Sequence, residues 1–250
     1  MKRKIRRIKR KLKNSNKLFL KILILLIILV LIIFIIFEQT IIKDKNEFDS
    51  LLKETNIIKE NISIDKFNIN NIKELKNNNI TKTKENLLLE EAIEEYSIDY
   101  GDIIDKTIKS IKDEKYANLL IATNYQADAP AFTNSQNYIV EKNKEIDNNK
   151  QELDKIINKT YYLKYIKEKT KDKKTIERYK VLIKNIINND DYELLNKDIT
   201  DLKEILKVSN EIFIYLGRNA NSWHIENNEI VFTNQEVKTE YEKAIAKIKR

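Results

Sequence analysis

The chain is predicted to be a mainly α-helical protein with one N-terminal transmembrane helix, a bundle of long helices and one small β-hairpin near the C-terminus. Two Gly and one Pro among 250 residues argue against a sheet-rich domain, because sheets use both residues at their turns. Apolar residues recur at steps of three or four over long stretches, as on one face of an α-helix. The apolar run at residues 18–37 is long enough to cross a bilayer core of about 30 Å.

The basic tail before this run, residues 1–17, holds ten Lys or Arg and no acidic residue. Because a basic flank stays on the cytoplasmic side, we expect a cytoplasmic tail that meets anionic lipid head groups and an extracytoplasmic domain. A cleaved signal peptide would need small residues after the apolar run, but EQTII follows it and the first Ala is Ala92. With no Cys to carry a lipid, the sequence predicts an uncleaved, single-pass signal anchor in the cell membrane.

The formal charge of +8 and the pI near 9.2 suggest nucleic-acid binding until the charge is divided along the chain. Residues 1–21 contain eleven basic groups and no acid, so the remainder carries 36 basic and 39 acidic groups, a net charge of −3. The basic pI therefore belongs to the anchor. We expect no nucleic-acid partner, since no basic stripe remains in the domain.

Beyond the anchor, we expect a juxtamembrane helix and an Asn-rich linker over residues 38–83, with the linker ending at Asn77, Asn78 and Asn79. An extracytoplasmic helical domain then occupies residues 84–250. Its helices are predicted from apolar spacing and from helix start and stop signals. They run from Lys84 to about Lys112, from Pro130 or slightly later through Ile166, from Thr175 to Ile187, and from about Tyr192 to Leu216.

Two glycines and one polar stretch carry more specific expectations. Gly101 lies inside a predicted helix, where it favours close packing against a neighbour. Gly217 follows the last apolar residue of another helix and is expected to close it in the left-handed conformation. The stretch from Glu141 to Glu152 is nearly all charge and Asn, so the region Glu141–Ile166 either projects as a coiled-coil-like arm or packs in the bundle.

The C-terminal segment SWHIENNEIVF predicts a β-hairpin over about residues 222–232. Apolar and polar residues alternate on both sides of Asn227 and Asn228, which accept the positive φ of a tight turn. Thr233 and Glu236 match a capping box that would open a final helix. Asp128 or Ala129 is expected near the cap of the helix that begins close to Pro130.

The residues allow little identifiable chemistry. Without Cys and with His224 as the sole histidine, thiolate or multi-histidine metal sites are excluded, and glycine-rich phosphate loops are absent. Ser222 and His224 lie on one face of a strand, with Cβ atoms roughly 6 to 7 Å apart, which is too far for a triad. We therefore predict no catalytic, cofactor-binding or metal-binding residue and no cofactor.

Two clusters still deserve a structural test. The acidic residues Glu90, Glu91, Glu94 and Glu95 could supply the two carboxylates of a glycoside hydrolase or form a solvated helix face. The three tyrosines Tyr161, Tyr162 and Tyr165 could bind a partner or glycan, but core packing is the preferred interpretation.

The segment from Ile212 to Ile245 resembles the C-terminal end of a family of uncharacterised bacterial cell-envelope proteins, often lipoproteins, built mainly of helices. The shared features are a hairpin with a short polar turn, the return strand Ile230-x-Phe232, and a capped helix carrying Tyr241. EEYSIDYGD, from Glu94 to Asp102, is similar to that family's Tyr-x-x-x-Tyr-Gly stretch. The resemblance implies a helical fold and an envelope location, and it implies no activity.

Three functions are compatible with these features. The first is a structural or protein-interaction role in the cell envelope, with an envelope protein as partner and the Glu141–Ile166 arm as its contact. The second is a ligand-binding or sensing module, which requires a lined pocket. The third is a carboxylate-dependent wall hydrolase, which requires two carboxylates facing a groove.

Overall fold

The computed structural model describes the backbone of residues 2–75 and 80–248, and the side chains of residues 26–74 and 80–248. Asn77, Asn78 and Asn79 of the predicted linker lie outside the described residues. Within them the fold is mainly helical, with one antiparallel hairpin near the C-terminus. The α-helices are α1 (Lys2–Ile62), α2 (Ile69–Leu75), α3 (Lys84–Ile111), α4 (Glu114–Ala117), α5 (Ala122–Asp128), α6 (Thr133–Ile156), α7 (Lys159–Lys169), α8 (Lys173–Ile186), α9 (Asn189–Arg218) and α10 (Gln235–Ile248), and the strands are β1 (Trp223–Glu226) and β2 (Glu229–Phe232).

Helix α1 is one unbroken helix of 61 residues, about 90 Å long at 1.5 Å per residue. Its apolar part is exposed on all sides: every residue from Leu26 to Phe37 is between 48% and 63% accessible. Among the described residues, α1 is the one helix long and apolar enough to cross a membrane. Its last part enters the domain, where Leu51, Ile58 and Ile62 are at most 1% accessible.

Two hydrophobic clusters fill the domain, one on each side of a shared framework. The first joins α1, α2, α3, α7 and α8 with the C-terminal end of α6 and the N-terminal end of α9. The second joins α5, the first half of α6, most of α9, the hairpin and α10. Helices α3, α6 and α9 pack on one another and connect the two clusters. The last part of α1 and helix α2 therefore contribute to the same core as α3 and α8.

The region Glu141–Ile166 packs in the bundle and does not form a projecting arm. It divides into α6 and α7 at Ile157 and Asn158, and the Asn158 side chain accepts the N–H of Thr160 to start α7. Ile146, Leu153 and Ile156 are at most 1% accessible because α6 lies between α3 and α9. The charged residues between them cover the outer face of α6. Of the two alternatives, packing in the bundle is therefore the one that the structure shows, and a partner contact at this region stays a prediction.

The two glycines serve close approach between elements. A Cβ atom on Gly101 would lie 2.6 Å from the Cδ1 atom of Ile69, which confirms the predicted close packing of α2 on α3. Gly217 does not close α9 in the left-handed conformation, since α9 continues to Arg218 and neither glycine has a positive φ. A Cβ atom on Gly217 would lie 2.8 Å from the carbonyl oxygen of Pro130. Gly217 is thus required by a neighbouring turn.

That turn connects α5 to α6. Pro130 precedes α6 by three residues, after a cis Ala129–Pro130 peptide bond, and does not occupy a first helical turn. Phe132, at φ 52°, directs its fully buried ring into the second cluster. Phe132, and not Asp128 or Ala129, is the N-cap residue of α6. Asp128, the last residue of α5, nevertheless accepts the N–H groups of Asn134 at 3.1 Å and Ser135 at 2.7 Å in the first turn of α6.

The hairpin is confirmed, with Trp223 opposite Phe232 and the turn at Asn227 and Asn228, whose φ angles are 49° and 62°. The capping box is wrong by one residue. Asn234, rather than Thr233, accepts the N–H groups of Glu236 and Val237 at the start of α10. The N–H of Thr233 instead donates to the carbonyl oxygen of Ser222, extending the pairing of the strands.

Candidate functional site

The structure does not assemble a nucleophilic site around His224. The His224 side chain is 52% accessible, and its Nε2 atom lies 3.5 Å from Oε2 of the equally exposed Glu226. Ser222 ends the short turn that precedes β1, where its backbone pairs with Thr233. A triad requires a hydroxyl within hydrogen-bond reach of a histidine that a carboxylate orients in a protected pocket. His224 has neither the protection nor the hydroxyl contact.

The four acidic residues of α3 divide into two pairs on different faces, because residues four apart lie on one side of a helix. Glu91 and Glu95 face outward, where Nζ of Lys169 donates to them at 3.5 and 2.9 Å. Glu90 faces inward and is 1% accessible. Its carboxylate accepts the N–H groups of Ile80 and Thr81, together with the Thr81 hydroxyl.

Glu54 on α1 faces Glu90 and the half-buried Glu94, and the three form a largely buried carboxylate cluster. Burial, together with the negative charges of Glu90 and Glu94, raises the pKa of Glu54 to about 7. Its side chain is 7% accessible, and its Oε2 atom is buried without a hydrogen-bond partner. Sequence reasoning missed Glu54, although it lies between Leu51 and Ile58 on the apolar face of α1.

Burial argues against a glycosidase at this cluster. A wall hydrolase must place both carboxylates against a sugar ring, with an acid and a base or nucleophile in contact with substrate. Glu54 and Glu90 are covered by packed helices, and Glu90 is committed to holding the chain segment before α3. The cluster therefore affects the stability of the fold, because enclosing carboxyl groups between helices costs free energy.

The tyrosine cluster is mainly core, as predicted. Tyr162 and Tyr165 are 4% and 7% accessible, whereas Tyr161 is half-buried with Nζ of Lys164 lying 3.6 Å from its ring centre. The Tyr96 ring of α3 packs edge-on against Tyr165, with 5.6 Å between ring centres. The Tyr165 hydroxyl donates to Asp99 at 2.6 Å, and burial with that charge raises the pKa of Tyr165. These contacts stabilise the helix packing of the first cluster.

The most connected polar region is the junction where α1 leaves its apolar segment. The carboxylate of Glu47, 9% accessible, accepts the backbone N–H of Thr83 at 3.0 Å and its hydroxyl at 2.6 Å. The amide of Asn86 also donates to Glu47, at 3.2 Å. Burial works to raise the pKa of Glu47, but the hydrogen bonds from Thr83 and Asn86 outweigh it and lower the pKa to about 2. Glu47 therefore joins α1 to the first turn of α3.

Helix α8 is joined to α1 at the same level. Arg178 donates to Oδ1 of Asp44 at 2.8 Å, and its guanidinium lies 4.2 Å from the centre of the Phe48 ring. Asn86 donates to the same Asp44 oxygen at 3.1 Å. Three helices thus meet within the first turns after the apolar segment, through charge-assisted hydrogen bonds that fix direction as well as distance.

A groove of about 740 Å³ opens beside this junction. Its apolar wall includes Phe37, Ile41 and Leu88, and its polar wall includes Lys84, Lys174 and Arg178. In the part of the chain that the structure describes, no group of three or more His, Cys, Asp and Glu residues is arranged to hold a metal ion. The junction and its groove combine directed hydrogen bonds among three helices with an open cavity, and they are the candidate site considered below.

Comparison of the chain with protein-family models, curated proteins and solved structures found no match.

Proposed function

We propose that this protein is a single-pass membrane protein of the cell envelope, which holds a helical domain at a set orientation on the outer membrane face so that it contacts another envelope protein. The observation that carries the proposal is the continuity of α1 from the exposed apolar segment into the buried core.

The continuity of α1 supports a rigid connection in place of a flexible tether. A flexible linker would leave the orientation of the domain free, whereas an unbroken helix transmits the direction of the membrane span to the core. The hydrogen bonds of Asp44 and Glu47 begin seven to ten residues after Phe37 and hold α3 and α8 to that direction. Such a domain presents the same face to its surroundings at a constant height.

The membrane topology is testable with single cysteines, because the natural chain has none. We expect a membrane-impermeant maleimide to label the Thr200→Cys variant in intact cells, since Thr200 is exposed on α9. The matched Ser15→Cys variant, in the basic tail, should be labelled only after the membrane is permeabilised. Labelling of Ser15→Cys in intact cells, or release of the protein by an alkaline wash, would contradict the anchor.

The protein-contact role draws on apolar side chains that the folded domain leaves on its surface. Val140, Val181 and Leu194 are 68%, 52% and 43% accessible, although each lies on a helix most of whose apolar residues are buried or partly buried. Scattered apolar residues are common on surfaces, so a partner must be demonstrated at specific positions. Glu90, Tyr162 and Tyr165 are buried between helices, whereas Glu91 and Glu95 pair with Lys169 on the outer face of α3.

A photo-crosslinking amino acid placed at each of these three positions in cells tests the contact. We expect a discrete crosslinked product with an envelope protein from at least one position. The matched control is Asp201, which is exposed on the same helix as Leu194. Absence of any discrete product, or an identical product from Asp201, would reject the interaction role while leaving the topology result intact.

A further inference from the structure

The groove beside the α1 junction lies at the depth of the lipid head groups if α1 is the membrane anchor, and to that extent this inference rests on the proposed function. Phe37, the last residue of the apolar run, lines the groove together with Thr40 and Ile41. The other wall comes from the first turns of α3 and α8 and from the loops before them. Because α1 is continuous, the groove has a set distance from the apolar segment.

The surface around this groove is basic, unlike the rest of the domain. We define the membrane-proximal surface as residues 38–47, 80–86 and 170–178, which carry eight basic and six acidic groups, a net charge of +2. The other residues beyond position 21 then carry 28 basic and 33 acidic groups, a net charge of −5. Folding therefore collects positive charge at the end of the domain that faces the membrane.

Exposed lysines outnumber exposed acidic residues on this surface. Asp44 pairs with Arg178 and lies 4.0 Å from Nζ of Lys174, and Glu47 lies 3.9 Å from Nζ of Lys43, so these two carboxylates offset part of the positive charge. Asp172 accepts the N–H and the hydroxyl of Thr175 as the cap of α8. Seven lysines are exposed, against the exposed acids Glu38, Glu85, Asp172 and Glu177; these lysines are Lys43, Lys45, Lys82, Lys84, Lys171, Lys173 and Lys174.

We propose that the membrane-proximal surface binds the head groups of acidic phospholipids in the leaflet below it, with the groove holding one such lipid. Lys84 and Lys174 supply cations for a phosphate group, and Phe37, Ile41 and Leu88 supply an apolar wall for the start of the acyl chains. Glu85 and the two partnered carboxylates, Asp44 and Asp172, also line the groove. The lysines attract anionic lipid, while the apolar wall continues from the surface of α1.

The test uses the full chain in lipid nanodiscs, which expose both membrane faces, made of neutral phosphatidylcholine or of a mixture with phosphatidylglycerol. An amine-reactive reagent and mass spectrometry report the accessibility of Lys82, Lys84, Lys171 and Lys174. We expect their labelling rate to fall at least roughly threefold in acidic discs and to recover in high salt. Lys115 and Lys197, exposed lysines away from this surface, serve as internal controls whose labelling should not change.

A charge-removal variant then tests whether the groove itself binds the lipid. The double substitution Lys84→Gln and Lys174→Gln should reduce the protection of Lys82 and Lys171 in acidic discs, whereas the matched pair Lys115→Gln and Lys197→Gln should not. Equal labelling in neutral and acidic discs, with the protein retained in both, would overturn this inference alone. Failure of the chain to remain in any disc would overturn it together with the anchor. Equal protection by millimolar inorganic phosphate in neutral discs would overturn the assignment to lipid.

Discussion

At the residue scale, the clearest physical tension is the buried carboxylate cluster of Glu54, Glu90 and Glu94. Enclosing carboxyl groups together is unfavourable unless one of them holds a proton or each is hydrogen-bonded. Glu90 is hydrogen-bonded to Ile80 and Thr81, whereas Oε2 of Glu54 has no such partner. Protonation of Glu54 should therefore make the stability of the core depend on pH.

Replacing Glu54 with Gln should make the free energy of unfolding less dependent on pH. The folded-state pKa, about 7, lies above the ordinary 4.5, so the folded state binds this proton more tightly than the unfolded state. The resulting stabilisation is complete below pH 4.5 and is lost as the pH rises through 7. At pH 8 we expect the free energy of unfolding of the Glu54→Gln variant to exceed that of the natural protein by roughly 1 to 3 kcal/mol.

Chemical unfolding of the full chain in detergent, followed by circular dichroism from pH 5 to 8, measures this difference. Glu60→Gln is the matched control, since Glu60 is an exposed residue six positions along the same helix. Glu47 does not interfere, because its lowered pKa places its loss of stabilisation below pH 4.5. Parallel pH profiles for Glu54→Gln and the natural protein would refute the prediction.

The two glycines give a second prediction at this scale. Gly217→Ala should destabilise the fold by roughly 1 to 3 kcal/mol, because the new Cβ would meet the rigid carbonyl of Pro130 at 2.8 Å. Gly101→Ala should cost less, because the Cδ1 atom of Ile69 can move and alanine favours a helix by about 1 kcal/mol. Thermal unfolding of both variants checks the order, and a larger loss for Gly101→Ala would show the reasoning to be wrong.

At the element scale, short polar side chains determine where helices begin. Asp128, Asn158, Asp172 and Asn234 each accept backbone N–H groups that the first turn of a helix leaves unpaired. Two of them, Asn158 and Asn234, would be discounted on composition alone in so Asn-rich a chain. Apolar spacing alone predicts longer helices or helices with other starting points. The capping residues set where the helices begin.

The start of α10 provides a prediction with a built-in control. Asn234→Ala removes the oxygen that accepts the N–H groups of Glu236 and Val237 and should cost roughly 0.5 to 2 kcal/mol of stability. Thr233→Ala should cost less, since Thr233 contacts Ser222 through its backbone N–H. Denaturant unfolding compares the two variants. A greater loss for Thr233→Ala would restore the capping box.

At the scale of the whole molecule, α1 is both the apolar segment and a structural helix of the domain. Its residues Leu51, Ile58 and Ile62 belong to the first hydrophobic cluster, beside α3 and α8. Removing the apolar segment and removing all of α1 should therefore have different consequences. The first change leaves the core complete, while the second exposes the faces of α3 and α8 that α1 covers.

A chain that begins at residue 38 should unfold cooperatively, whereas one that begins at residue 63 should lose cooperativity in its first cluster. Deleting large buried apolar side chains costs about 2 to 5 kcal/mol each, so losing three exceeds the stability of many domains. Calorimetry and near-ultraviolet circular dichroism distinguish the two truncations. Similar cooperative transitions for both would show that α1 is dispensable to the core.

Local patterns in the sequence predicted most of the helical elements, the hairpin at Asn227 and Asn228, and the close packing at Gly101. Apolar spacing and turn chemistry act between near neighbours, so they can be read from one chain. They left Glu141–Ile166 undecided and misplaced the role of Gly217, because both depend on what packs against a helix from elsewhere. The need for glycine at position 217 is steric and follows from the carbonyl oxygen of Pro130, which only the folded chain brings close to it.

The sequence by itself determined that the chain has a basic tail, an apolar segment long enough to span a membrane and a helical, mildly acidic remainder, because these are sums and periods along the chain. Only the tertiary structure decided that the apolar helix continues into the core, that Glu54 faces Glu90 and Glu94, and that lysines from three separated segments share one surface. The physical reason is distance. Charge and burial act through space, so residues far apart in sequence acquire a joint effect when the helices pack.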